Sequence, residues 1–147
     1  MDKEKTIEAI INARKAHENQ MKKIVALLNG KEVENPTAVS QRECDFGKWL
    51  YADNNRLKNI LGTLFYTNLE TLHTKWHVEY STLFKIFFKP KKKGFFSKAF
   101  GSQKVGGMEL DKAKLYYSEL EITTGELLKA IASSQRRLEA LNEKKFR

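Results

Sequence analysis

Between Thr63 and Phe88 the chain reads TLFYTNLETLHTKWHVEYSTLFKIFF. Leu69, His73, Trp76, His77, Tyr80, Leu83, Phe84 and Phe87 recur three and four residues apart, which places them on one broad face of a helix. Neither glycine nor proline interrupts the run, so a single long helix is predicted over 63–88. A helix with so wide an apolar face needs other elements to cover it.

The flanking sequence supplies them. Ile7, Ile10, Met21, Ile24 and Leu28 fit the same period from about Glu4 to Leu28, with Arg14 and His17 filling the vacant positions of the stripe. Asn29-Gly30 is a helix stop, and the polar stretch Lys31 to Thr37, containing Pro36, is a connecting loop. Shorter helices are predicted from about Val39 to Tyr51 and from Arg56 to Leu61. Downstream, Leu110, Ala113, Tyr117, Leu120, Thr124, Leu127, Ile131, Ser134, Leu138 and Leu141 mark a helix from about Met108 to Lys144. Such heptads suit a bundle helix or a coiled coil, with Thr124 and Ser134 weakening the seam and setting its register. Periodicity does not distinguish packing within the chain from pairing with a second chain.

The expected fold is therefore all-α, an antiparallel four- or five-helix bundle. It divides into a bundle over 1–88, a basic linker or loop over 89–107, and a C-terminal helix over 108–147. With 147 residues, 41% hydrophobic and 31% charged, the chain is long enough for one domain with a real core. Eight glycines and two prolines argue against a β-sandwich or barrel. No stretch approaches the ~18–20 apolar residues of a membrane span, and Met1-Asp2-Lys3-Glu4-Lys5 lacks an apolar signal core. A cytoplasmic location is expected. The single cysteine, Cys44, forms no intramolecular disulfide, which leaves it a core residue, a reactive thiol or a metal ligand.

The net charge of +9 is local. From Ser81 to Met108 there are seven lysines and no acidic residue, and removing those seven leaves +2 for the rest of the chain. A nucleic-acid surface spread over the fold is not implied. Lys91, Lys92, Lys93 and Lys98 alternate with Phe95, Phe96 and Phe100, a combination that suits an anionic membrane surface or an acidic partner. The competing reading is a solvated loop whose phenylalanines fold back on the bundle.

His73 and His77 project one turn apart from the same helical face, within reach of one metal ion. The pair alone is a weak signal. The chain contains only three histidines and one cysteine, however, and a bundle would turn all four inward. Three imidazoles and a thiolate make a complete tetrahedral set of the nitrogen and sulfur type that zinc prefers over magnesium or calcium. A di-iron bundle would need more histidine and carboxylate ligands than these helices offer. Glu70, Glu79 and Glu109 are taken as solvated helix charges. No glycine-rich phosphate loop, nucleophile elbow or paired-carboxylate arrangement stands out, and four protein ligands leave no open position for substrate, so no enzyme is expected.

The string Cys44-Asp45-Phe46-Gly47-Lys48-Trp49-Leu50, with His17 before it and His73-x-x-x-His77 after it, closely resembles the bacterial chemoreceptor zinc-binding (CZB) domain. That family's core motif is a cysteine, two residues, glycine, one residue, an aromatic and usually leucine. The resemblance covers roughly residues 7 to 88 and implies a zinc site of His17, Cys44, His73 and His77. Gly47 would admit a close neighbour, and Trp49 and Leu50 would anchor the short helix in the core. The resemblance also implies a zinc-dependent or oxidant-responsive sensor, often homodimeric, in chemotaxis or cyclic-di-GMP signalling, with Cys44 the redox-sensitive residue. Two departures are visible. Gln20 stands where the family often has a bulky aromatic, and no receptor or cyclic-di-GMP enzyme region accompanies the domain, so a stand-alone member is expected. Its partners would be a second copy and a chemoreceptor, kinase complex or cyclic-di-GMP enzyme.

Overall fold

In the computed structural model, residues 2–31, 40–52, 56–87 and 106–146 are described. They form α1 (Lys3–Leu28), α2 (Asp45–Leu50), α3 (Arg56–Leu61), α4 (Thr63–Phe87) and α5 (Gly107–Ala140), followed by a 3-10 turn over Glu143–Phe146. No strand occurs among the described residues. The loop expected over Lys31 to Thr37 falls, apart from Lys31, outside them, as does the segment 89–105 with its lysines and phenylalanines.

α1 starts at Asp2, whose carboxylate accepts from the Lys5 amide at 2.7 Å, and stops at Asn29-Gly30, where Gly30 takes φ 76. α5 crosses both other long helices in the opposite sense. Its C-terminal end meets the starts of α1 and α4, through Lys3 donating to the Glu139 carbonyl at 2.8 Å and Arg137 to the Leu61 carbonyl at 2.6 Å. At its middle, Thr124 accepts the indole N–H of Trp76 at 2.8 Å. α1 and α4 therefore run parallel, and the chain between them returns through α2 and α3, which complete an up-down-up-down bundle.

Thr124 shows how a polar residue in an apolar seam sets register. Its hydroxyl donates to the Leu120 carbonyl at 2.7 Å while accepting from Trp76. The buried indole would otherwise lack a partner, at a cost of about 1–3 kcal/mol. The expected α5 seam lies inside the chain, with Ala113, Leu120, Thr124, Leu127, Ile131, Ser134 and Leu138 buried. α4 likewise buries Leu69, His73, Trp76, His77, Tyr80, Leu83 and Phe87.

Four expectations need correction. The second helix, expected from about Val39 to Tyr51, is shorter: residues 40–44 are not helical and α2 covers only Asp45–Leu50, because Cys44 caps it instead of lying within it. On α1 the buried stripe is Thr6, Ile10, Ala13, His17, Ile24 and Leu27, whereas Arg14 is half exposed and pairs with Glu18 at 3.8 Å. A helix turns 100° per residue, and Ala13 completes the inward face better than its charged neighbour. The final helix ends at Ala140, where Leu141 turns extended (ψ 145) and Phe146 tucks back into the core. The Phe146 carbonyl accepts from Arg56 at 2.6 Å. Glu70, Glu79 and Glu109 are all half-buried, not solvated. Glu70 lies beside Tyr51, whose hydroxyl pKa is raised by burial first and by that carboxylate second.

A candidate zinc centre

His17 from α1, Cys44 at the head of α2, and His73 and His77 from α4 converge, with one ligand atom of each within 4.8 Å of all the others. The three histidines are 3%, 0% and 4% exposed. Cys44 is half-buried. Cys44 Sγ lies 3.2 Å from His73 Nε2, and His77 Nε2 lies 3.0 Å from that same nitrogen. A nitrogen with one lone pair or one proton cannot satisfy two such neighbours. A shared cation can: zinc–nitrogen bonds near ~2.05 Å and a zinc–sulfur bond near ~2.3 Å set tetrahedral edges of roughly 3.3 and 3.6 Å. The donor set of three imidazoles and one thiolate fits Zn²⁺ in number, type and spacing.

Local structure aims each donor. His17 Nδ1 donates to the Ala13 carbonyl one turn back, at 2.8 Å, which fixes the tautomer and turns Nε2 toward the cluster. Cys44 takes an extended backbone (φ -71, ψ 155) as the N-cap of α2, and its sulfur accepts from the Gly47 amide at 3.3 Å. A helix N-terminus stabilises negative charge, so the same cap favours the thiolate. A Cβ on Gly47 would overlap the Gln41 carbonyl oxygen and come within 2.8 Å of its carbon and 3.2 Å of Arg42 Cα. The motif's glycine is thus required by backbone contact with the preceding turn.

Aromatic rings enclose the imidazoles. Phe46 meets His73 edge-on at 4.7 Å and His17 at 5.8 Å, and Trp76 meets His17 at 4.7 Å and His77 at 5.0 Å. Phe46 is buried, whereas Trp49 is half-buried and reaches the site only by stacking on Phe46 at 5.8 Å. Leu50 is fully buried. The sequence reading missed Phe46, Ala13 and the Gly47 amide. Of these, a ring two residues beyond the cysteine in an otherwise polar stretch was the visible signal for Phe46. Gln20 accepts from the Tyr80 hydroxyl at 3.3 Å, so a polar pair stands where an aromatic was expected. That hydroxyl's pKa is pushed up to about 12 by burial.

Burial also sets the proton count. It lowers the pKa of His17, against the opposing bond to Ala13, and takes that of His73 from 6.5 to about 2 with help from His17 and His77. Burial raises the Cys44 thiol above its ordinary 9.0, and the Gly47 amide only partly offsets it. At pH 8 the metal-free site therefore holds His17 and His73 as neutral imidazoles and Cys44 as a thiol. Zinc uptake should displace one proton per ion, from Cys44, so affinity rises about tenfold per pH unit while the thiol persists. Calorimetric titration at pH 8 in two buffers of different ionisation enthalpy checks this. Release of no proton would mean that Cys44 is not a ligand.

Fold and donor set define a helical metal-binding module with its site at the heart of the bundle. Residues 17–83 match the family model of the chemoreceptor zinc-binding domain, a span that contains all four converging residues. The match spans less than half of the chain, and the family it describes is a zinc-binding one. α5 and the first half of α1 lie outside the match. No curated protein and no solved structure matches the chain. No described helix is long and apolar enough to cross a membrane.

Proposed function

We propose that the chain is a zinc-dependent sensory module of bacterial signal transduction, of the chemotaxis or cyclic-di-GMP type. His17, Cys44, His73 and His77 would hold the ion. The observation that carries this reading is the convergence of these four donors from three separate elements, within 4.8 Å of one another. Bound there, Zn²⁺ supplies a four-point tie between α1, α2 and α4 and leaves no coordination position for a substrate. The proposed role is regulatory, and no catalytic residue is assigned.

Cys44 is the point at which the tie is sensitive. α2 has six residues and is too short to be stable by itself. It is held by Phe46, Leu50 and the ligand at its cap. An oxidant such as hypochlorous acid converts the thiolate to a sulfenic acid, the sulfur losing two electrons while chlorine leaves as chloride. A sulfenic acid is a far weaker zinc ligand, so oxidation, like zinc withdrawal, frees α2 from α4 and changes the surface offered to a signalling partner. The zinc-loaded chain, treated with one equivalent of hypochlorous acid, should release its metal to a colorimetric chelator. Backbone amide exchange should rise in 44–50 while α5 stays protected. Retention of zinc after Cys44 has been oxidised would reduce the ion to a static staple and remove the redox part of this reading.

A further inference from the structure

A cavity of about 60 Å³ lies against the converging donors, between α1, α2 and α4. At ~15 Å³ per water position it has room for on the order of four waters. His17, Cys44 and His77 line it, whereas the fully buried His73 does not. The cavity therefore opens onto the side of the cluster opposite His73.

Its outer side is thin. Ala16, next to His17, is exposed and carries only a methyl group, so the half-buried Gln20 side chain one turn on is what stands between the cavity and solvent. The wall across from it is fixed. Tyr80 stacks on Trp76 at 5.0 Å with the rings 8° from parallel, and the Trp76 indole donates to Thr124 at 2.8 Å. Gln20 is joined to this wall by one hydrogen bond, the Tyr80 hydroxyl donating to its Oε1 at 3.3 Å, longer than is usual for a hydroxyl donor. Gln20 is the part that can swing. Among the described residues no Asp, Glu, Lys or Arg lines the cavity. A cation meets no repelling charge there, and the Gln20 carbonyl oxygen is an acceptor it can use on the way. A wider cleft of about 360 Å³, beside Thr82 and Lys85, reaches the cluster at His77 alone, and its lysine opposes a cation.

We propose that the small cavity is the port through which zinc enters and leaves, with the Gln20–Tyr80 hydrogen bond as its latch. The proposal rests on the four-donor site put forward above, and it assigns to Gln20 and Tyr80 the pace at which that site exchanges its metal. A port acts on a barrier, so changes to it move uptake and release by the same factor and leave Kd, their ratio, unchanged. A cavity of this size does not seat an organic chelator beside the donors, so release should not quicken as chelator is added.

Stopped-flow transfer of zinc from the loaded chain to pyridylazoresorcinol measures release, and tryptophan fluorescence follows uptake. Gln20→Trp, whose ring must leave the mouth before the ion passes, should slow both by about tenfold or more, the effect of adding roughly 1.4 kcal/mol to the barrier. Gln20→Ala and Tyr80→Phe, which remove the latch and keep all four donors, should speed both; they decide the matter if the tryptophan variant does not fold. Thr82→Phe, in the wider cleft, should change neither rate. A wild-type chain that takes up no zinc overturns the donor assignment and this proposal together. Tight zinc binding with wild-type rates in the Gln20 and Tyr80 variants overturns the port alone, as does a change in only one of the two rates, slowing by Thr82→Phe, or release that rises in proportion to chelator.

Discussion

Cys44→Ala is expected to abolish tight zinc binding and to lower the midpoint of thermal unfolding in zinc by about 8–16 °C. Changes merely beside a metal ligand cost about 10- to 100-fold in affinity, and removal of the thiolate costs more. At a zinc concentration of about 1,000 times Kd, binding stabilises a fold by ~4 kcal/mol, and each kcal/mol shifts the midpoint by roughly 2–4 °C in a chain of this size. The substitution also deletes the sulfur that caps α2 through the Gly47 amide, worth ~1 kcal/mol. The two losses separate cleanly. In a strong chelator, wild type and variant should melt within a few degrees of each other, the difference being the cap; in zinc they should diverge. Equal midpoints in zinc would show that the thiol does not take part in the site.

Gly47→Ala should be almost as damaging although it alters no ligand. The new methyl would overlap the Gln41 carbonyl oxygen, with backbone on both sides of the contact. Backbone yields less readily than a flexible side-chain end, so a loss of about 3 kcal/mol or more is expected. Relief requires the turn before α2 to move, and that turn carries Cys44. Zinc affinity should therefore fall together with stability, although all four donors remain. A variant that keeps wild-type melting and zinc content would mean that the motif's glycine only eases packing. Thermal denaturation with parallel zinc titration reads both quantities on one sample.

Much of this was legible in the sequence because helical period and burial coincide. Thr63 to Phe87 forms one helix whose expected face is buried, and His73 and His77 lie on it together. The heptads of α5 likewise fall where the core needs them. Errors arose where a short-range decision overrode the period. Cys44 ends a turn and caps α2, a role invisible to periodicity, so α2 is half the predicted length. Arg14 sits one position from Ala13, and the 3-4 pattern alone does not choose between neighbours when one is charged. The tail beyond Ala140 leaves the helix because Phe146 finds a place in the core, with its carbonyl held by Arg56 across 90 residues of sequence. Such a contact has no local signature. For the candidate metal centre, residue counting picked out the four side chains that converge in the fold. What orients them, namely the Ala13 carbonyl, the Gly47 amide and the rings of Phe46 and Trp76, depends on backbone geometry and packing that only the fold displays.

The central claim is that one zinc ion is held by three imidazoles and one thiolate. Zinc K-edge X-ray absorption on the chain, purified without added metal, tests it most directly. One zinc per chain should appear, with a shell of three nitrogens near ~2.05 Å and one sulfur near ~2.3 Å. A shell of oxygen and nitrogen only, a six-coordinate ion, or a chain that carries no zinc would contradict the assignment of His17, Cys44, His73 and His77 as its ligands.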